Sequence, residues 1–565
     1  MKKSMRTGIL GALLLTTALL GAGEADAALL YFPHVDTTYG WQTEIAIVNR
    51  SPHQSVAGTL RALSNTGQLV DTKPVILPGG GRRQINVADE FGNHSAIGYI
   101  VFDADADTIH GYTKFSQPGK YRVAIPAVKE VNTADIHITH IDSGPQWWTG
   151  LSLVNTTSAA KSISILFNDG QVRDVTLAAN EHKAFSIGSL FGDQPQPSIR
   201  SGVITNAGGV IGLELFGTHD GRLLEGILLT DRTSATLYYP HVAGGDWWTG
   251  IVAYNPSDTA CTVTVAPFSA AGVPLTPSTL TVPGKGKYVG AVTDLGLHAQ
   301  TAWFKISSSL PLSGFELIGT TGMELLAGHV DIGGLGAKQG AFAKIEKDGW
   351  TTIALVNTEN SGATVTLSAY ADDGTFVAGA AFPMGSRAKV VDSAEALFPQ
   401  SIARATYIAY ASDRDMVGVQ LNGSADGKML DGLPGLGGGL NGGGQAAINT
   451  CADGSQCMSP LTCSPASECI CPAGRQLCGH SCIPADASCC ADGSYCESPG
   501  ICASDNSCTS DGAGGGYAVN RHMFANVCAG GMIYGYTGPN YTICNMYLNT
   551  ASNGCSKIIN NCHGE

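Results

Sequence analysis

Three His-x-Asp pairs stand out: His34-Val35-Asp36, His140-Ile141-Asp142 and His329-Val330-Asp331, with His241-Val242-Ala243 matching them except for the acid. On a strand, residues i and i+2 share a face, so an imidazole and a carboxylate could meet one metal ion. A catalytic zinc needs three protein ligands and an open position, and no third ligand recurs at fixed spacing. These residues are therefore weak metal candidates. The expectation is a structural histidine donating to a nearby carboxylate, with no metal and no cofactor. Tryptophans form a second pattern. Trp148, Trp248 and Trp350 have the opposite strand parity to the apolar pairs Leu151/Leu153, Ile251/Ala253 and Ile353/Leu355, which turns them away from that core. Such rings either pack against a second layer or offer a row of platforms for a sugar or a partner chain. Trp41, Trp147 and Trp247 share the core parity and are expected inside. The chain has no Gly-x-Ser-x-Gly elbow, no His-Glu-x-x-His and no P-loop; Asp372-Asp373 falls in a turn before Gly374. The sequence points to binding rather than catalysis.

The third pattern is cysteine. Of 17 cysteines, all but Cys261 lie beyond residue 450. Cys451, Cys457, Cys463 and Cys469 are evenly spaced, as are Cys490, Cys496, Cys502 and Cys508, and both runs open Cys-Ala-Asp-Gly-Ser. Cys471, Cys478, Cys482 and Cys489 lie between them; Cys528, Cys544, Cys555 and Cys562 follow in a segment rich in Tyr and Asn. An even count in an exported chain with almost no apolar core predicts a disulfide scaffold. Zinc at Cys478-Gly-His480-Ser-Cys482 is the rival, disfavoured by an oxidising compartment. Cys261, beside Val263 and Val265, is expected to be a buried small hydrophobe.

Most of the chain must position these groups by repetition. A hydrophobic strand ending in Asn recurs at 41–49, 147–155, 247–255 and 349–357. A glycine turn follows each, at Gly67, Gly170, Gly272 and Gly374, and a third glycine marker closes each copy at Gly111, Gly212, Gly314 and Gly418. All three landmarks recur about 100 residues apart, the signature of a tandem array. Period-2 alternation and short apolar runs separated by turn residues predict antiparallel strands. The fold expected is all-β: four antiparallel β-sandwich repeats of about 100 residues, six to eight strands each, then a disulfide-rich tail. A closed ring of the same units is the alternative stacking. Each Asn is followed by turn formers and is expected to set that turn through its own backbone.

The organisation expected is a signal peptide at 1–27, repeats at 28–128, 129–233, 234–330 and 331–434, and a Gly-rich linker at 435–450. A cysteine-rich region at 451–510, a Gly linker at 511–516 and a terminal segment at 517–565 complete it. Lys2, Lys3 and Arg6 precede an apolar run and the small-x-small site Ala25-Asp26-Ala27, which predicts export. That run is too short for a membrane anchor, and no other apolar span is found. A net charge of −14 argues against nucleic acid.

Tyr31-Phe32-Pro33-His34 with the Trp-x-Thr-x-Ile-x-x-x-Asn strand, and Tyr239-Pro240-His241 with 247–255, resemble repeats of secreted bacterial proteins of uncharacterised function. The stretch 471–508 resembles small EGF-like or knottin-like modules, departing from a strict knottin in its even spacing. The resemblance implies fold and export only. The functional expectation is an extracellular, cell-surface or periplasmic protein for adhesion, envelope or matrix contact, with a protein or carbohydrate partner. A carbohydrate-binding array and a secreted hydrolase or metalloprotein using the repeat His/Asp positions are the alternatives.

Overall fold

The computed structural model describes residues 28–330 and 336–437, and the backbone of short strands between 448 and 564. The chain divides into two units, 1–443 and 444–565. The protein is all-β, built from several antiparallel sheets, and among the described residues no helix is long and apolar enough to cross a membrane.

In the first unit the strands fall into four quarters. The first holds β1 (Ala28–Phe32), β2 (Gln42–Asn49), β3 (Val56–Ser64), β4 (Leu69–Leu77), β5 (Arg82–Asn86), β6 (Ile97–Ala104), β7 (Ile109–Gln117) and β8 (Tyr121–Pro126). They pair as two sheets, β1-β6-β3-β4 and β5-β2-β7-β8. The second quarter holds β9 (Ile136–Ile138), β10 (Trp147–Asn155), β11 (Lys161–Phe167), β12 (Val172–Leu177), β13 (His182–Ser186), β14 (Gly202–Thr205), β15 (Val210–Thr218) and β16 (Leu224–Leu229). It repeats the same order, β9-β14-β11-β12 and β13-β10-β15-β16. The third runs β17 (Ser234–Tyr239), β18 (Trp247–Tyr254), β19 (Cys261–Phe268), β20 (Ser278–Val282), β21 (Lys287–Ala291), β22 (Trp303–Thr320) and β23 (Leu326–Val330). The fourth runs β24 (Ala337–Phe342), β25 (Gly349–Asn357), β26 (Ala363–Tyr370), β27 (Phe376–Met384), β28 (Lys389–Ser393), β29 (Tyr407–Ser424), β30 (Leu430–Pro434) and the short β31 (Leu436–Gly437). Here one long strand, β22 or β29, replaces two and serves both sheets: β22 pairs with β17 and β19 early, then with β18 and β23.

Alternation explains each core. In β11, Ile163, Ile165 and Phe167 are buried while Ser162 and Leu166 are exposed. Together with Leu151 and Leu153 of the facing sheet they fill one apolar cluster, and Ile45, Ile47, Leu60 and Phe102 fill its counterpart in the first quarter. Cys261 is buried in the third cluster, beside Val263 and Val265.

The repeated Asn holds the same place four times. Asn49, Asn155, Asn255 and Asn357 are fully buried. The amide of Asn155 donates to Ala159 O (2.7 Å) and Ala178 O (2.8 Å), and its oxygen accepts Thr157 N at 3.1 Å. Asn357 does the same with Ser361 O (2.8 Å), Gly385 O (2.9 Å) and Glu359 N (3.0 Å). The residue thus sets its own turn and also ties down a loop over twenty positions away.

The quarters return on themselves. The equivalent strands β8, β16, β23 and β30 contact one another in cyclic order, and β30 meets β8. Tyr407 Oη donates to Gly80 O at 2.7 Å, Arg82 pairs with Asp372 at 3.0 Å, and Arg122 bridges Asp431 (2.5 Å) and Glu346 (2.8 Å). A side chain at Gly374 would collide with Gly79 O, which adds to the demand of its φ of 81° for glycine. The expected linker begins later than its composition suggests: Gly435 N donates to Gly418 O at 2.8 Å, and Leu436 is buried.

In the second unit the backbone forms short hairpins, such as Arg475–Cys478 with Ser481–Pro484, and a three-stranded sheet of Ile533–Thr537, Thr542–Asn549 and Ser556–Gly564. The expected signal peptide, the Gly linkers beyond residue 437 and the side chains of the tail cysteines lie outside the described residues.

A candidate binding cleft between the second and third quarters

Each of the first three quarters meets the next through the second residue after its first strand. His34, His140 and His241 lie just beyond β1, β9 and β17. His34 Nδ1 is 3.1 Å from His182 Nε2, His140 Nδ1 is 3.1 Å from Lys287 Nζ, and His241 Nδ1 is 2.7 Å from Lys389 Nζ. Each partner begins the fifth strand of the following quarter. The His-x-Asp expectation is corrected here. The histidines have left the strand, so i and i+2 no longer share a face, and their described side-chain partners are bases across the junction. Asp36 instead accepts Thr38 N and Oγ1, both at 2.8 Å. His329 ends in β23 with its side chain outside the described residues, as is all of Asp331. Among the described residues no group of three or more His, Cys, Asp or Glu could hold a metal.

The Thr of the Trp-x-Thr pattern fixes the approach to these junctions. Buried Thr43, Thr149, Thr249 and Thr351 accept the backbone N–H of Asp36, Asp142, Ala243 and Glu346 at 2.8–2.9 Å. That role follows from the repeated spacing but is not visible in one copy.

Tryptophans line the junctions. Trp41 and Trp148 pack half-buried on Phe115, Val123, Ile125, Leu213 and Leu224 between the first two quarters. Trp147 and Trp248 pack on Phe216, Val252, Phe315 and Leu326 between the second and third, and Trp247 packs on Ile318 and Leu430 beyond. The parity reading of Trp41, Trp147 and Trp247 is corrected: they join these junctions, not the Ile/Leu cores. Trp41 precedes β2 and the other two open their strands, beyond the reach of the facing sheet. Trp148, Trp248 and Trp350 each lie over the cross-strand glycine, Gly217, Gly319 and Gly423, where a side chain would strike the indole. Trp350 is the most open, 37% exposed.

At the second junction the packing leaves a cleft of about 300 Å³. Its walls are Trp147, Phe216, Trp248, Leu317, Met323 and Val289, with His140 and Asp142 at its polar side. Trp248 Nε1 donates to Thr320 O at 3.0 Å, so the ring has no N–H left to offer. Burial holds His140 well below the usual imidazole range, aided by Lys287 and Arg200, and the ring is neutral. Burial also brings Lys287 down to about 7, against the pull of Glu214, whose own carboxyl burial raises well above its usual range.

Met323 gives the cleft its distinctive edge. The turn before β8, β16, β23 and β30 needs a left-handed residue: Gly119 (φ 75°), Gly221 (φ 73°) and Gly427 (φ 69°) supply it in three of them. The third quarter puts Met323 there at φ 55°. A non-glycine in that region costs on the order of 1–3 kcal/mol, and such strain concentrates at functional sites. The cleft therefore joins Trp248, His140 and Asp142 from the sequence candidates to Trp147 and Met323, while Trp148 and Trp350 lie elsewhere.

No family model and no curated protein matches this chain.

Proposed function

We propose that the chain is an exported modular binding or structural protein: four sandwich repeats form a closed platform that displays a disulfide-stapled tail for adhesion or for envelope or matrix contact. The observation that carries this reading is the return of the fourth quarter to the first through Tyr407, Arg82 and Arg122. That closure suits a rigid display base. The test is localisation of the full chain by fractionation and surface proteolysis, with attachment to envelope material compared before and after removal of 444–565. Export and tail-dependent attachment are expected; retention in the cytoplasm, or attachment unaffected by the deletion, contradicts the reading.

A second reading, ligand binding by the array itself, is favoured by the placement of Trp248 in a cleft beside an acid. Glycan-array binding by the full chain, lost on Trp248→Ala but kept on Trp350→Ala, would support a carbohydrate there.

A further inference from the structure

We propose that the cleft between the second and third quarters binds a small organic cation with an apolar body, seated against Trp147 and Trp248 and directed toward Asp142. The proposal rests on the reading of the array as a binding surface and names the ligand class.

Four observations converge on this chemistry. The walls are almost wholly apolar and aromatic, and the volume of about 300 Å³ sits at the lower end of small-molecule sites. Trp248 lies against Gly250 and Gly319 and has its N–H satisfied, so it offers a π face rather than a hydrogen bond. Indole faces attract cations through the ring quadrupole. The carboxylate of Asp142 accepts no hydrogen bond from the described residues; the bonds at this position are made by its backbone. In the first quarter, by contrast, Asp36 is consumed by Thr38.

The polar groups are too few for a sugar. A pyranose needs several directed partners, and the cleft has one carboxylate without a hydrogen-bond donor among the described residues and a histidine whose Nδ1 is engaged by Lys287. Lys287 attracts Asp142 through space, but it is not part of the lining and its ammonium is committed to His140 and Arg200 O. A small anion would meet Asp142 and indole faces, both repulsive. The strained Met323, 39% exposed at the cleft edge, adds a polarisable wall suited to an alkylammonium body.

The test titrates the full chain with benzyltrimethylammonium chloride, followed by calorimetry and tryptophan fluorescence, with benzyl alcohol and methyl β-glucopyranoside as neutral probes. Saturation at one cation per chain is expected, with both neutral probes weaker. Asp142→Asn should weaken the cation about ten-fold, a loss of one charge contact. Met323→Gly should weaken it while leaving the melting temperature unchanged or higher, which separates a lost wall from a lost fold. Benzyl alcohol binding as tightly as the cation, saturation by the glucopyranoside alone, or unchanged affinity in Asp142→Asn overturns the proposal. Each of those outcomes leaves tail-dependent attachment untouched, so failure here is distinct from failure of the scaffold reading.

Discussion

The buried Asn residues show how one amide organises a hundred-residue stretch. Asn155 satisfies carbonyls of two loops and one backbone N–H, all away from water. Asn155→Ala leaves those groups unpaired, and a buried unsatisfied group costs about 1–3 kcal/mol. A loss of about 2–4 kcal/mol in denaturant titrations is expected; a loss under about 0.5 kcal/mol would show the loops to be held by other contacts. The tryptophans divide in the same way. Trp148 packs among five buried apolar side chains, whereas Trp350 is 37% exposed. Truncation of a packed Trp to Ala costs about 3–5 kcal/mol, so Trp148→Ala should lower stability by about that much and Trp350→Ala by well under half of it. Equal effects would contradict the packing described.

At the scale of elements, the turn of the third quarter is under strain that its counterparts avoid. Met323→Gly should stabilise the fold by about 1 kcal/mol, because glycine adopts φ near 55° without steric cost; a drop in melting temperature would mean that Met323 packing outweighs the strain. Much of this level was legible in the residues. The expected strands 147–155 and 349–357 coincide with β10 and β25, and the Asn and glycine landmarks fall at equivalent places. The closing strands β8 and β16 of the first two quarters were not legible. Tyr121–Pro126 and Leu224–Leu229 are buried on both faces and show no clean alternation, since one side meets its own quarter and the other the ring centre. The cleft escaped for the same reason: its walls come from two quarters, and parity within one strand says nothing of which outward faces meet. The His-x-Asp geometry failed because β1 and β9 end before the histidine, a boundary that local pattern fixes poorly.

Across the whole first unit, the junctions make stability depend on pH. Burial holds His34 down to about 4, and His182 and His241 to about 3. Their folded values lie below the unfolded 6.5, so the stability they lend is full above pH 6.5 and is lost as pH falls toward 4 and 3. Glu316 acts oppositely: burial raises it to about 8, so its burden on the fold eases between pH 8 and 4.5 and changes no further below. The melting temperature should therefore fall gently from pH 6.5 to 4.5 and more steeply beneath. His241→Gln should flatten that acid limb in a thermal scan; an unchanged slope would show that this histidine does not set it.

Closure joins the four quarters into one ring at Arg122–Asp431 and Tyr407–Gly80. Small-angle X-ray scattering on residues 28–437 tests it most directly. A compact body of that length has a radius of gyration of about 22 Å, whereas four domains strung end to end would exceed about 35 Å. A value near the first, unchanged at high salt, is what closure predicts; a value near the second would show an open array and contradict the account.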